Sequence, residues 1–179
     1  MNNRKERKGL VIFNTGDGKG KTTAALGTMF RSFGHGFQIC VIQFIKDEQI
    51  KTGEFQAAHS LGVEWHYCGD GFVFESEAAQ DSAAMAREGW QLAKEKISSQ
   101  KYDLVILDEF TYPLKFGWLD IGEIIDWFKV NKPSTMHLII TGRNALPELI
   151  DYADLVTEMK EIKHPFREQK IPAQIGIDY

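Results

Sequence analysis

Near its start the chain passes from an apolar run, Gly9 to Asn14 (GLVIFN), directly into NTGDGKGKTT, Asn14 to Thr23, and from there into helical spacing over Lys21 to Phe33. A buried strand, a glycine-rich turn and a helix in immediate succession make half of a strand-helix-strand unit, which commits the chain to a parallel sheet with helices on its faces. The turn also has a chemistry. Backbone amides that converge at a helix N-terminus hold anions, so Thr15, Gly16, Asp17, Gly18, Lys19 and Gly20 read as a phosphate cradle. Lys21 is expected to reach terminal phosphates, and the Thr22 hydroxyl, with Thr23 beside it, to face Mg²⁺. The strict pattern G-x-x-x-x-G-K-[ST] is not met, because Thr15 stands five before Gly20 and the nearest glycine is Gly16.

The rest of the chain repeats the alternation. Phe37 to Phe44 (FQICVIQF) and Gly62 to Tyr67 (GVEWHY) read as strands, and Ser76 as the cap of a long helix with apolar positions Ala79, Ala83, Ala86, Trp90, Ala93 and Ile97. Asp103 to Leu107 is a strand that runs into two acids, Asp108 and Glu109, the expected partners of the metal. Asp120 and Glu123 form a capping-box start for a helix that buries Ile121, Ile124, Ile125 and Phe128. Met136 to Ile140 and Ala153 to Glu158 complete the strands, and a polar, proline-containing tail follows. A glycine-rich surface turn is the plain alternative for residues 14–23. The strand before it, the helix after it and the acid-ended strand downstream favour the phosphate reading.

Composition narrows the partners. The 179 residues suit one domain that withdraws roughly 70% of its unfolded surface from water. A net charge of −4 argues against non-specific nucleic-acid binding, and Arg4, Lys5, Arg7 and Lys8 read as a short solvated arm. No apolar run reaches membrane-spanning length and no signal peptide is visible, so a cytoplasmic location is expected. Cys40 and Cys68, the latter placed in a loop, read as free thiols. Nucleotide binding alone leaves several classes open. The base-reading N-K-x-D of a G-protein is not matched by Asn131-Lys132-Pro133-Ser134, and a kinase lid would want more arginines than Arg143 and Arg167. A non-catalytic binding module is the third possibility.

The segments VIQFIK (Val41 to Lys46), GDGFVFE (Gly69 to Glu75), LDEFTYPLKFGWLD (Leu107 to Asp120), ITGRNA (Ile140 to Ala145) and HPFREQKIPAQIGIDY (His164 to Tyr179) occur in that order. Together with the variant phosphate loop they resemble the ATP:corrinoid adenosyltransferases of the CobA/BtuR/CobO type, from Gly9 to the C-terminus. The resemblance implies a P-loop NTPase-like (RecA-like) three-layer sandwich with a mainly parallel sheet, a polar arm over residues 1–8 and a single domain over 9–179. It implies transfer of the 5′-deoxyadenosyl group of ATP to a corrinoid cobalt(I), with inorganic triphosphate released, in cobalamin biosynthesis or salvage.

By the same resemblance, Lys21, Thr22 and Glu109 would be catalytic. Thr22, Asp108 and Glu109 would hold Mg²⁺ or Mn²⁺. Gln43, Lys46 and Arg143 would join the loop at ATP, and Phe72 and Phe74 would lie against the corrinoid, the second where the family commonly has tryptophan. His59 and His66 are expected to be packed or solvated rather than cobalt ligands. A flavodoxin-like or flavin electron donor and a homodimer are also implied. The family's longer N-terminal helix is not matched by the residues before Gly9. Closure is therefore expected from the Gly69 to Glu75 loop, the C-terminal tail or a second subunit.

Overall fold

The computed structural model describes residues 7–45, 52–69 and 78–178. Its elements alternate through the chain: β1 (Val11–Thr15), α1 (Lys21–Gly34), β2 (Ile39–Phe44), α2 (Gly53–Ser60), β3 (Glu64–Cys68), α3 (Ala78–Ser98) and β4 (Leu104–Asp108). They continue as α4 (Thr111–Lys115), α5 (Ile121–Asn131), β5 (His137–Thr141), α6 (Pro147–Tyr152), β6 (Leu155–Glu158) and α7 (Pro165–Gln169). The six strands form one sheet in the order β3-β2-β4-β5-β1-β6, and every pairing is parallel. The three-layer, P-loop NTPase-like architecture expected from the sequence is therefore present.

Near-continuous apolar strands need cover on both faces. One face carries Phe13, Cys40, Ile42, Phe44, Val105, Leu107, Leu138 and Ile140 against Trp90, Ala93 and Ile97 of α3 and Ile124 and Phe128 of α5. The other carries Ile39, Val41, Leu104, Ile106 and Ile139 against Ala25 and Met29 of α1 and Ala58 of α2. The expected cap of α5 forms, with Asp120 Oδ1 accepting from the Glu123 amide at 2.9 Å. Ser76 lies outside the described residues.

Three expectations change. Helices α2, α4, α6 and α7 were not visible as periodic segments, and α7 falls within the expected tail. Cys68 ends β3 rather than sitting in a loop. The 1–8 arm is not wholly solvated: Arg7 donates to Asp103 Oδ1 and to the Thr135 carbonyl, each at 2.9 Å, and stacks over Phe37 with its guanidinium carbon 4.5 Å from the ring centre. Lys8 pairs with Asp154 at 2.7 Å. These contacts fasten the chain start beneath the sheet because Asp103 and Asp154 sit just before β4 and β6.

Candidate functional site

Parallel strands place their carboxyl ends at one edge of the sheet, where open α/β sheets take ligands. A cavity of about 510 Å³ lies there, lined by residues of the phosphate turn (Lys19 to Thr23), by Glu109, Tyr112 and Arg143, by Gly53 and Glu54 at the start of α2, and by Gly176 to Asp178. The volume is in the range of small-molecule sites, roughly 300–1,000 Å³.

The turn between β1 and α1 can exist only with glycine at key points. Gly16 has φ +97°, and a Cβ there would stand 2.5 Å from the Met159 carbonyl oxygen. That oxygen accepts from the Gly18 amide at 2.7 Å, and the Met159 amide donates to the Thr15 carbonyl at 2.8 Å. The chain just after β6 thus braces the outer side of the turn. The Gly18 amide is turned to this scaffold and away from the cradle, and Thr15, Gly16 and Gly18 support the turn without lining the cavity. Asp17 is exposed and lies 3.7 Å from Arg143.

Lys21 is buried, and its ammonium donates to the Gly16 and Gly18 carbonyls at 2.8 and 2.7 Å. Burial pushes its pKa below the ordinary value, Glu109 opposes that shift, and Arg143 adds to it, while Asp17 and Asp108 oppose it further. A desolvated cation of this kind gains most from an arriving polyanion. Lys19 forms an ion pair with Asp178, tying the C-terminal segment to the turn. Gly176 to Asp178 thus border the cavity, and residues 70–75 of the loop also expected to close it lie outside the described residues. Glu109 adopts the left-handed conformation, φ 57°, directly after β4. Its neighbour Tyr112 has a phenol whose pKa is raised by burial and then by Glu109, so it stays a neutral donor at neutral pH.

Two expected site residues are placed differently. Gln43, thought to face ATP, is fully buried and donates through Nε2 to Asp108 Oδ2 at 2.7 Å. Asp108 is itself 1% exposed, and its Oδ1 accepts from the Thr141 hydroxyl at 2.6 Å. Both its oxygens are thus engaged, and neither Gln43 nor Asp108 lines the cavity. Lys46, Phe72 and Phe74 lie outside the described residues. Tyr112, Glu54 and Asp178 were not singled out from sequence. Tyr112 and Asp178 fall inside segments that carried the resemblance, but nothing in their spacing assigned them to the cavity.

Away from this edge, Cys40, Glu64 and His66 place potential ligand atoms within 4.8 Å of one another. Glu64 is already engaged: Lys96 stands 2.9 Å from it, His66 Nε2 is 2.7 Å away and the Tyr102 hydroxyl donates to it. Burial alone would raise the Glu64 pKa, but these bonds outweigh it and hold it down at about 2. The Cys40 thiol is pushed up to about 12, chiefly by burial. The group is an ion-pair network with Lys96 as its cation. His66 belongs to it, and His59 is exposed, its ring tilted against that of Phe55 at 5.9 Å. No helix among the described residues is long and apolar enough to cross a membrane.

Residues 7–179 match the family described as ATP:corrinoid adenosyltransferase BtuR/CobO/CobP. A corrinoid adenosyltransferase of a Sinorhizobium species is 42% identical over all of this chain and 84% of its own length. Those of Escherichia coli K12 and Salmonella typhimurium LT2 are each 38% identical over 97% of this chain and 87% of theirs. Among solved structures, the flagellar accessory protein FlaH of Methanocaldococcus jannaschii superposes with a TM-score of 0.57 at 11% identity, over 85% of this chain and 71% of its own, a likeness of fold alone. By the extent of the family match and the near full-length identity to its members, this chain belongs to the ATP:corrinoid adenosyltransferase family.

Proposed function

We propose that the protein transfers the 5′-deoxyadenosyl group of ATP to the cobalt(I) of a corrinoid and releases inorganic triphosphate, in cobalamin biosynthesis or salvage. The cobalt(I) electron pair attacks C5′, a cobalt–carbon bond forms, and the C5′–O bond breaks with its electron pair leaving on the triphosphate. Cobalt is formally oxidised to cobalt(III) in that step, and a flavodoxin-like or flavin donor supplies the earlier electron that takes cobalt(II) to cobalt(I). The reading treats residues 9–179 as one catalytic domain, acting in the cytoplasm as a homodimer.

The observation that carries this proposal is the buried Lys21 ammonium at the edge of a cavity that Thr22 and Glu109 share. Negative charge grows on the leaving triphosphate, so the cation belongs where that charge appears, in a site dry enough for it to count. Lys19, Gly20, Thr22, Thr23 and Arg143 line the same space and would hold the remaining phosphate oxygens. A hydroxyl and a carboxylate are hard oxygen donors that fit Mg²⁺ or Mn²⁺, and Thr22 and Glu109 would hold it. When bound, the ion supplies Lewis-acid neutralisation of the triphosphate. The nucleophile is a metal electron pair, so the chain needs no general base. Lys46 at ATP and Phe72 and Phe74 against the macrocycle complete the reading.

Reduced corrinoid, ATP and Mg²⁺ mixed with the protein should develop the light-sensitive spectrum of an alkyl-cobalt corrinoid. A phosphorylated acceptor with ADP, and no such spectrum, would assign the site to a small-molecule kinase. Binding of both ligands without turnover would make it a carrier.

A further inference from the structure

The ends of the central strands are joined by a buried belt of hydrogen bonds. Strand register brings Gln43 beside Asp108 and Asn14 beside Thr141. Gln43 Nε2 donates to Asp108 Oδ2 at 2.7 Å and the Thr141 hydroxyl donates to Asp108 Oδ1 at 2.6 Å. The same hydroxyl oxygen accepts from the Glu109 amide at 2.9 Å, and the Thr141 carbonyl accepts from the Phe110 amide at 3.0 Å. One residue of β5 therefore grips two consecutive amides of the turn that presents Glu109. The belt continues to β1 through the Gly142 amide, which donates to the Asn14 carbonyl at 3.2 Å. Gly142 itself tolerates no side chain, since a Cβ would stand 2.0 Å from the Thr111 hydroxyl oxygen.

A hydroxyl has one proton and can rotate. With its proton fixed on Asp108, the Thr141 oxygen turns a lone pair to the Glu109 amide. That amide belongs to a residue with φ 57°, a conformation that a non-glycine residue keeps only when its surroundings enforce it. We propose that Asp108 is a positioning residue rather than a metal ligand: through Thr141 it holds Glu109 in the left-handed turn that presents its carboxylate to the cavity. This rests on the reading that Glu109 serves the metal and triphosphate.

Asp108→Asn separates the two roles. Asparagine keeps an oxygen to accept from Thr141, and its amide can donate to Gln43 Oε1, a buried atom with no hydrogen-bond partner among the described residues, once the Gln43 amide turns over. The belt survives while the ligating charge is lost. Thr141→Val does the reverse, and Thr141→Ser restores the hydroxyl. Each variant is measured for Mn²⁺ binding in the presence of ATP, by electron paramagnetic resonance, and for kcat and KM with pre-reduced corrinoid. Thermal midpoints check folding.

The positioning role predicts that Asp108→Asn and Thr141→Ser stay close to wild type. Thr141→Val should lose Mn²⁺·ATP affinity and kcat by about 10–100-fold, the usual cost of removing an orienting partner behind a ligand. An Asp108→Asn loss as large as that of Glu109→Gln overturns the proposal, as does a Thr141→Val protein that binds Mn²⁺·ATP like wild type. The Asp108→Asn comparison stands even if Thr141→Val does not fold. The Mn²⁺·ATP measurement needs no corrinoid, so it judges this role even where wild type forms no alkyl-cobalt product and the functional reading fails.

Discussion

At the scale of single residues, Lys21 carries the charge argument. Its ammonium is held by two carbonyls of its own turn, partners that a triphosphate would replace with full negative charges. Lys21→Ala should lower kcat with pre-reduced corrinoid by about 10²–10³-fold, the scale for loss of one preorganised group at a developing anion. Turnover near wild type would refute the role. Glu64 gives a pH prediction. Its pKa falls from 4.5 to about 2 in the folded chain, so its contribution to stability is full above about pH 4.5 and is lost as pH falls toward 2. Glu64→Gln should lower the neutral-pH melting temperature and flatten its decline across that window, as followed by circular dichroism. Lys21, Thr22 and Glu109 stood out in the sequence from the turn and the acid-ended strand around them, and all three line the cavity. Gln43 and Asp108 were misplaced because their partners are 65 and 33 positions away along the chain. Only the assembled sheet brings those groups together.

At the scale of elements, α5 shows what periodicity can reveal. Ile124, Ile125 and Phe128 fall on one face, and that face packs on the sheet while Phe128 meets Trp90, Trp127 and Tyr152. Phe128→Ala should cost about 3–5 kcal/mol in denaturant unfolding, the range for deleting a buried aromatic side chain. A loss below about 1 kcal/mol would mean the site collapses around the gap. The short helices α2, α4, α6 and α7 span only 5 to 8 residues, too few turns for an apolar stripe to emerge. The tail was hidden for another reason. Asp178 meets Lys19 across 159 positions, and no local pattern records that contact.

At the scale of the whole molecule, one edge of a parallel sheet gathers a phosphate turn, an acid after β4, an arginine after β5 and the C-terminal segment around one cavity. The turn is braced from β6, and the acid is held from β5. This division lets the scaffold set the geometry while the cavity side chains meet charge. It suits the proposed reaction, in which the phosphates would be held together and the bond that breaks would lie at the sugar. The most direct measurement is the phosphate product, read by ³¹P NMR after a single turnover of ATP with reduced corrinoid. Inorganic triphosphate equal in amount to the alkyl-cobalt product is the predicted result. ADP, or diphosphate formed in step with the alkyl-cobalt product, would contradict it.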